Sequence, residues 1–594
     1  LNNFPAILRR SAFLAAAVFI IWTVLYKVND PDFWWHLKAG DVFLRTGWIA
    51  TDVFAHTREG LPYLATHGWL AEIMLSIFWK LGGSTAVILL RISLALLSFF
   101  VLLALDTKRI WPNALLVMLA AVSTKGAWQD RPQLWTYACF SLALYFTIQF
   151  AFSPNKREEM RTNNLYKYAA LLVCIQWLWA NMHGGASLVM FALVGAAFLQ
   201  IAWEWFRSGG KNTSTLFVLL ISLLGMCVAF FLTPNGIHNI QYVKDLFSDQ
   251  TAQFIREWSP PGIEKYITQL GFFWVTAVAS IIAGKRKLLF SWLALLTFGV
   301  LAATAVRHMP LFVFTAVGIT IWQLKGCTPW QTLMHSTVEK RERAFQLSVV
   351  GTTLAVLLYL PAYRTIAHAG LSGFGQYEPY SAAYDFVENS RLSGNMFNTY
   401  GMGGYLLYRG YPERKVFVDG RNIDYGYEFL SKTLSAAQDE AFWKELEDTY
   451  NLSYALISYQ PKGQQWEQYP YTSLLDTNPN WNLVYLDEAV AVYAKNTKEN
   501  LAVRTNYSYE VLTPERLHKM DVFEHVLGQE QVHALERDLL RTSTQSKGDT
   551  AGLLLLADLY ASSGLTEDLK TVLAEARNRK PKDALVRKYM KKYL

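Results

Sequence analysis

Apolar runs separated by short polar stretches fill the first 363 residues and then stop. A helix needs about 20 apolar residues to cross a hydrocarbon core, and most of these runs reach or approach that length. The pattern predicts eleven membrane-spanning helices, at 12–28, 83–105, 111–123, 134–152, 168–180, 186–206, 215–232, 267–283, 288–306, 309–324 and 345–362. The third and tenth are short, and a re-entrant segment fits them as well as a span does. Segments 36–45 and 69–81 are amphipathic and too short to cross, so they are predicted to lie along the interface.

Beyond residue 363 the pattern changes to that of a soluble protein. Short apolar stretches alternating with helical periodicity predict strands at 405–408, 415–419, 454–457 and 490–493, and a helix over 436–447. Helical patterns run from Pro514 to the end, and 553–564 followed by 569–577 looks like one tetratricopeptide helix-turn-helix unit. A single such unit cannot bury its face unaided, so it packs on the preceding helices or offers a groove to another protein. Three parts are therefore expected: a transmembrane α-helical domain over 1–363 with a long first external loop at 29–83, an extracytoplasmic α/β domain over 364–496, and a helical, tetratricopeptide-like tail over 497–594.

Composition agrees with a polytopic membrane protein: 52% of residues are hydrophobic and only 17% are charged. The net charge of +8 reflects loop topology, because basic residues cluster in alternate loops: Arg9 and Arg10, Lys108 and Arg109, Lys156 to Lys167, Arg207 and Lys211, Lys285 to Lys287, and Lys325 to Arg343. The positive-inside rule makes those loops and the N-terminus cytoplasmic, and the C-terminal portion extracytoplasmic. No nucleic-acid partner follows from this charge. The opening basic pair and apolar run lack a small-residue cleavage site and read as a retained signal-anchor. Of the four cysteines, Cys139, Cys174 and Cys227 lie inside apolar runs and Cys327 follows another, so neither a disulfide framework nor a cysteine zinc site is indicated.

The first loop opens on Asn29-Asp30-Pro31-Asp32-Phe33-Trp34-Trp35-His36-Leu37. Acids cost about 2.5–3.5 kcal/mol each at a bilayer centre, so a pair kept beside the first span points to a purpose at the water boundary. Asp30 and Asp32 present two hard oxygen ligands suited to a divalent cation, while Pro31 keeps Asp30 out of the helical region. A solvated loop carrying an interfacial tryptophan pair is the plain alternative. The other chemistry-bearing residues, His67, Glu72, Arg131, His183, Glu257, Arg307 and His308, also fall in loops assigned to the outer face. A purely structural bundle needs no such bias. Arg91, inside the second span, either snorkels or pairs with an acid. Acids, a metal and fixed cations at the rim of a helical bundle suit transfer of a group from a lipid phosphate. The departing phosphate needs positive charge, and a carboxylate can act as general base toward the acceptor.

An Asp-x-Asp motif after the first span, interfacial helices beyond it and an external C-terminal α/β domain together resemble the GT-C glycosyltransferases, notably protein mannosyltransferases and the catalytic subunit of oligosaccharyltransferase. Residues 395–405 and 416–422 look like the region where oligosaccharyltransferases carry a Trp-Trp-Asp-Tyr-Gly segment, but Trp-Trp-Asp is absent here, so recognition of Asn-x-Ser/Thr does not follow. The resemblance spans 1–495 through scattered motifs, and the overall pattern also looks like a bacterial group of membrane proteins with Trp-Trp-His-Leu and Asp-Gly-Arg motifs. It implies Asp30 and Asp32 as catalytic acids holding Mg or Mn, Glu72 and Glu257 as further acids, and Arg307 with His308 as contacts of the carrier phosphate. His36, His67, Arg131 and His183 join as candidate substrate contacts, and Asp419-Gly420-Arg421 would shape a cleft, the alternative being a tight turn with a buried Asp–Arg pair. The implied activity moves a sugar from a polyprenyl-phosphate carrier to an extracytoplasmic protein or glycan, in a bacterial inner (plasma) membrane. A non-catalytic subunit that keeps the scaffold and docks a partner protein on the C-terminal helices is the alternative. A transporter fits less well, since no paired, Gly/Pro-broken spans occur in the two halves.

Overall fold

The computed structural model describes all residues except 1–3, 108–109, 153–161, 242–243, 245–254, 256, 285–287, 326–337, 460–470, 521–527, 546–547 and 549. Three basic clusters used for orientation, at 108–109, 156–161 and 285–287, and Cys327 lie outside the described residues. The chain divides into two compact units, one of 1–48 and 64–377, the other of 49–63 and 378–594.

The first unit is helical. A helix lies on each of the eleven apolar runs: α1 (Phe4–Val24), α3 (Trp69–Leu103), α4 (Ile110–Ser123), α5 (Gln133–Phe152), α6 (Thr162–Met182), α7 (Val189–Arg207), α8 (Thr213–Phe231), α9 (Ile263–Ala283), α10 (Leu289–Thr304), α11 (Met309–Leu324) and α12 (Val338–His368), with α2 (Pro31–Thr46) between the first two. Among the described residues, five helices are long and apolar enough to cross a bilayer: Trp69–Leu103, Gln133–Phe152, Gly185–Arg207, Thr213–Phe231 and Ile263–Ala283.

Two local devices shape the part that matters for function. Helix α2 starts where Asp30, extended at φ −74° and ψ 124°, accepts the Asp32 N–H and Pro31 takes the first helical position; it ends at Gly47, at φ 82°. Helix α3 breaks at Gly83, at φ 58°, which separates the amphipathic segment from the apolar run. The halves meet closely: a Cβ on Gly40 of α2 would stand 2.0 Å from the Glu72 carbonyl oxygen of α3, so only glycine allows this approach. Helix α3 packs against α2 and α5, α6 against α8, and α9 against α11.

In the second unit, β1 (Asn395–Asn398), β2 (Leu452–Ser458), β3 (Trp481–Leu486) and β4 (Val490–Lys495) form a sheet of order β1-β2-β4-β3. Strands β1 and β2 are parallel, and the other two pairs antiparallel. The expected strands at 454–457 and 490–493 lie within β2 and β4. Residues 405–408, expected as a strand, lie instead in a helix (Tyr400–Gly410), whose Tyr405, Leu406 and Leu407 are all buried. Four apolar residues fit a strand and one buried helical turn equally well. Gly403 decides the packing here, since a Cβ would meet the Val418 carbonyl oxygen at 1.9 Å. Residues 415–419 join none of the described sheet strands: Val416 exchanges backbone bonds with Phe54 and His56, at 3.1 Å each. The expected helix over 436–447 begins later, at Glu440, because Asp439 caps it by accepting the Ala441 and Phe442 N–H groups. The sheet edge was hidden by its asparagines. Asn398 of β1 is fully buried, accepting the Phe417 N–H at 2.8 Å and donating to the Val418 oxygen at 2.7 Å.

Four helices close the chain at Gln529–Gln545, Ala551–Ser562, Thr566–Arg579 and Ala584–Tyr593. The Ala551–Ser562 helix, buried at Leu553 to Ala557, packs on both its neighbours, with Gly564 turning the chain at φ 73°.

Candidate active site

The acids of the first loop do not face one another; they converge on an arginine. Arg131 follows Asp130 in the loop before α5, and Pro132 behind it starts that helix's approach. Its Nε lies 3.0 Å from Asp30 Oδ2, its Nη1 2.7 Å from Asp32 Oδ2 and its Nη2 2.7 Å from Glu257 Oε2. Nη2 also donates to the Gln129 side chain. Each nitrogen of the guanidinium thus serves a different carboxylate, which matches the rigid fork of arginine rather than the point charge of lysine.

Asp30 is buried and doubly held, by the Asp32 N–H on Oδ1 and by Arg131 on Oδ2. Asp32 and Glu257 keep 26% and 28% of their side chains exposed and are the members a ligand can reach. Burial raises Asp30 above the ordinary carboxylate range and lifts Asp32 to about 7, with Arg131 pulling both back. Burial acts the same way on Glu257, but Arg131 and Arg307 outweigh it and leave that acid lowered. The arginine is raised, because three carboxylates outweigh its desolvation. Three acids sharing one guanidinium in this way retain a proton near neutrality. An unfolded aspartate titrates near about 3.9, so the fold binds an additional proton between that pH and about 7. Stability contributed by Asp32 is fully present below the lower value and is lost as pH rises through the upper one. The melting temperature is expected to fall over that window, and Asp32→Asn should flatten the decline in a pH series of thermal scans.

A layer of imidazoles flanks the acids. His36 Nδ1 is 2.8 Å from Glu72 Oε1, both groups buried, which ties α2 to α3. His67 and His183 have ring centroids 6.1 Å apart; His183 Nδ1 shares a hydrogen with Thr136 Oγ1 at 2.8 Å, and the Gly184 N–H donates to the His67 carbonyl oxygen. Burial lowers His36 and His183 well below the ordinary histidine value. His67 and His308 are lowered to about 4, by burial first and then by the charge of Arg307. All four rings are therefore neutral at neutral pH.

Arg307 closes the corner. Its guanidinium lies 4.2 Å over the Trp258 ring, and its backbone N–H donates to the Glu257 carbonyl oxygen at 3.0 Å. Among the described residues it forms no ion pair with a carboxylate. Arg91, wholly buried in α3, has one: its Nη1 is 3.2 Å from Asp130 Oδ2, and it stacks over Tyr26 at 3.9 Å. Burial lifts Asp130 to about 7 despite this partner.

No protein-family model matches the chain, and no curated protein matches it in sequence. Solved structures do match in shape. The archaeal oligosaccharyltransferase AglB of Archaeoglobus fulgidus, in complex with an inhibitory peptide and a dolichol-phosphate, aligns at a TM-score of 0.54 with 11% identity, over 93% of this chain and 86% of that one. An Archaeoglobus fulgidus oligosaccharyltransferase tethered to an acceptor peptide containing the NVT sequon aligns at 0.51 with 12% identity, over 84% and 75%. The fold is GT-C.

The resemblance sets a divalent cation against this residue set, at Asp30 and Asp32. The two do not fit. The oxygens aimed between the acids are 3.0 Å and 2.7 Å from a guanidinium, and another oxygen of Asp30 serves as a helix cap. Among the described residues no three His, Cys, Asp or Glu side chains gather as metal ligands.

Of the residues singled out in the sequence, Asp30, Asp32, Arg131 and Glu257 are in contact, Arg307 adjoins Glu257, and His36 pairs with Glu72. Asp419 and Arg421 lie in the second unit, in a different role. Arg421 binds Asp419 at 2.7 Å and Asp52 at 2.7 Å, with Asp424 at 3.5 Å, and the ionic groups have no exposed surface. Enclosed charges that consume one another offer nothing to a substrate, so the cleft-lining role expected of Asp419 and Arg421 gives way to the buried pair. Asp52, Asp424 and Asp130 escaped the sequence reading, although Arg91 inside an apolar run was itself a signal that an acid must lie nearby.

Proposed function

We propose that this chain is a glycosyltransferase that moves a sugar from a polyprenyl-phosphate-linked donor to an extracytoplasmic acceptor, a protein or a glycan. The observation that carries it is Arg307: a cation stacked on Trp258, without a carboxylate ion pair among the described residues, next to Glu257, which shares Arg131 with the aspartate poised near neutrality, Asp32. That pairing suits a departing phosphate on one side and an acceptor that must lose a proton on the other.

Asp32 is the general base. It takes the proton of the acceptor hydroxyl or amide as the acceptor's oxygen or nitrogen bonds to the anomeric carbon. The bond from that carbon to the phosphate oxygen breaks, and the phosphate leaves with the electron pair toward Arg307. Asp30 positions Asp32 through the helix cap and the shared arginine. The neutral rings of His67, His183 and His308 supply N–H donors without adding charge. Support for a lipid-linked donor comes from AglB, which shares the fold and was solved with a dolichol-phosphate. We further assign eleven crossings of a bacterial inner membrane, a cytoplasmic N-terminus, and the three-part division at 363 and 496, with the tetratricopeptide-like tail open to a protein partner.

Arg307→Gln tests this reading. In nanodisc-embedded protein supplied with a polyprenyl-phosphate sugar, loss of a charged hydrogen bond to phosphate, about 1.5–3 kcal/mol, should raise the donor KM by one to two orders of magnitude. An unchanged KM would remove the carrier site. Absence of transfer by wild-type protein, together with a stably co-purifying partner, would favour the scaffolding role.

A further inference from the structure

We infer that Arg131 is the resident cation of the acid group, so that transfer at this site needs no divalent metal. The inference rests on the acid group being the transfer site, and deepens that reading by naming what neutralises it. Three observations converge. Nε, Nη1 and Nη2 each face a different carboxylate at 3.0, 2.7 and 2.7 Å, so the guanidinium occupies the point on which Asp30, Asp32 and Glu257 are aimed. The side chain is held in place: 13% of it is exposed, Gln129 binds Nη2, and the flanking backbone is fixed by the Arg131 N–H on the Gln129 carbonyl oxygen and the Leu134 N–H on that of Arg131. The second oxygen of Asp30 is already committed to the Asp32 N–H. A divalent ion would have to displace a buried, triply paired cation from the point it occupies.

The division of charge follows. One guanidinium leaves the three acids with an excess of negative charge, which keeps Asp32 basic enough to accept a proton. Positive charge for the phosphate is supplied separately, by Arg307. In a metal site one ion does both jobs; here two arginines divide them, joined through Glu257, whose carboxylate binds Arg131 and whose carbonyl oxygen accepts from Arg307. Arg131 is thus a positioning residue, acting on substrate through Asp32.

The test is Mn2+ titration of the full chain in nanodiscs, read by calorimetry and by the electron paramagnetic resonance signal of bound Mn2+, beside transfer assays with and without EDTA. Wild-type protein should show no saturable Mn2+ binding, and EDTA should leave transfer unchanged. Arg131→Met frees three carboxylates around one vacated point and should bind Mn2+ about tenfold or more tightly than wild type. Wild-type binding that disappears in Asp30→Asn or Asp32→Asn, or EDTA-sensitive transfer restored by Mn2+, would overturn the inference. So would a folded Arg131→Met protein that binds Mn2+ no better than wild type. If that variant does not fold, the two wild-type measurements decide alone. Mn2+ binding is read without turnover, so a wild-type protein that is silent toward Mn2+ and also inactive would count against the proposed activity and not against the arginine's place.

Discussion

Asp32→Asn should lower transfer by about two to four orders of magnitude while the protein stays folded. Asp32 and Glu257 are the exposed carboxylates of the trio, and of these two only Asp32 is raised, its value of about 7 matching it to accept a proton at neutral pH. Asparagine keeps the shape and the hydrogen bonding but cannot take a proton. Arg131 retains Asp30 and Glu257 as partners, so the fold loses little. Asp30→Asn is expected to fall less far, because Asp30 acts through the helix cap and asparagine caps nearly as well. Turnover of both variants, with melting curves as the control, checks this. Full activity in the double variant would remove the catalytic argument altogether.

Arg421→Met should destabilise the second unit by about 3–5 kcal/mol, because it strands Asp52, Asp419 and Asp424 as buried acids without their common partner. The loss is in folding and not in chemistry. Protease resistance of residues 378–594 should collapse well below the temperature at which the helical unit melts. Replacing Asp52, Asp419 and Asp424 by asparagine together with Arg421→Met should recover part of the loss, since the cost lies in uncompensated charge. If the single variant proves as protease-resistant as wild type, the ion network is not what holds this unit.

The helices of the first unit were legible in the sequence because a lipid-facing helix must be apolar along its length, a requirement the runs before residue 363 satisfy almost by themselves. The acids at the start of α2 were legible for the same reason, as charges kept where charge is costly. Their partner was not. Nothing in Asp130-Arg131-Pro132 tells that its acid meets Arg91 and its arginine meets Asp30 and Asp32; that comes from packing residues distant in the chain, Arg131 and Asp32 being 99 positions apart. The strands were the least readable elements. Met396 and Phe397 are too few to show a period, and the run at 405–408 is fully apolar either way. Asp419-Gly420-Arg421 stood out in the sequence as a motif, but only Asp52, from far upstream, explains why the motif is buried.

Residues 49–63 belong to the second unit although they precede nearly all of the first in the chain. Arg421 and Arg58 both close on Asp52, at 2.7 Å and 3.3 Å, and Val416 adds a backbone bridge to Ala55. One cut therefore cannot free the C-terminal portion: severed after Tyr377, it would leave behind the aspartate on which its internal charge balance depends. Exchange of this domain between proteins by recombination at a single junction would yield an incomplete fold, so a working transplant must carry two pieces of gene, a short insert in the first loop and the long tail, inherited together.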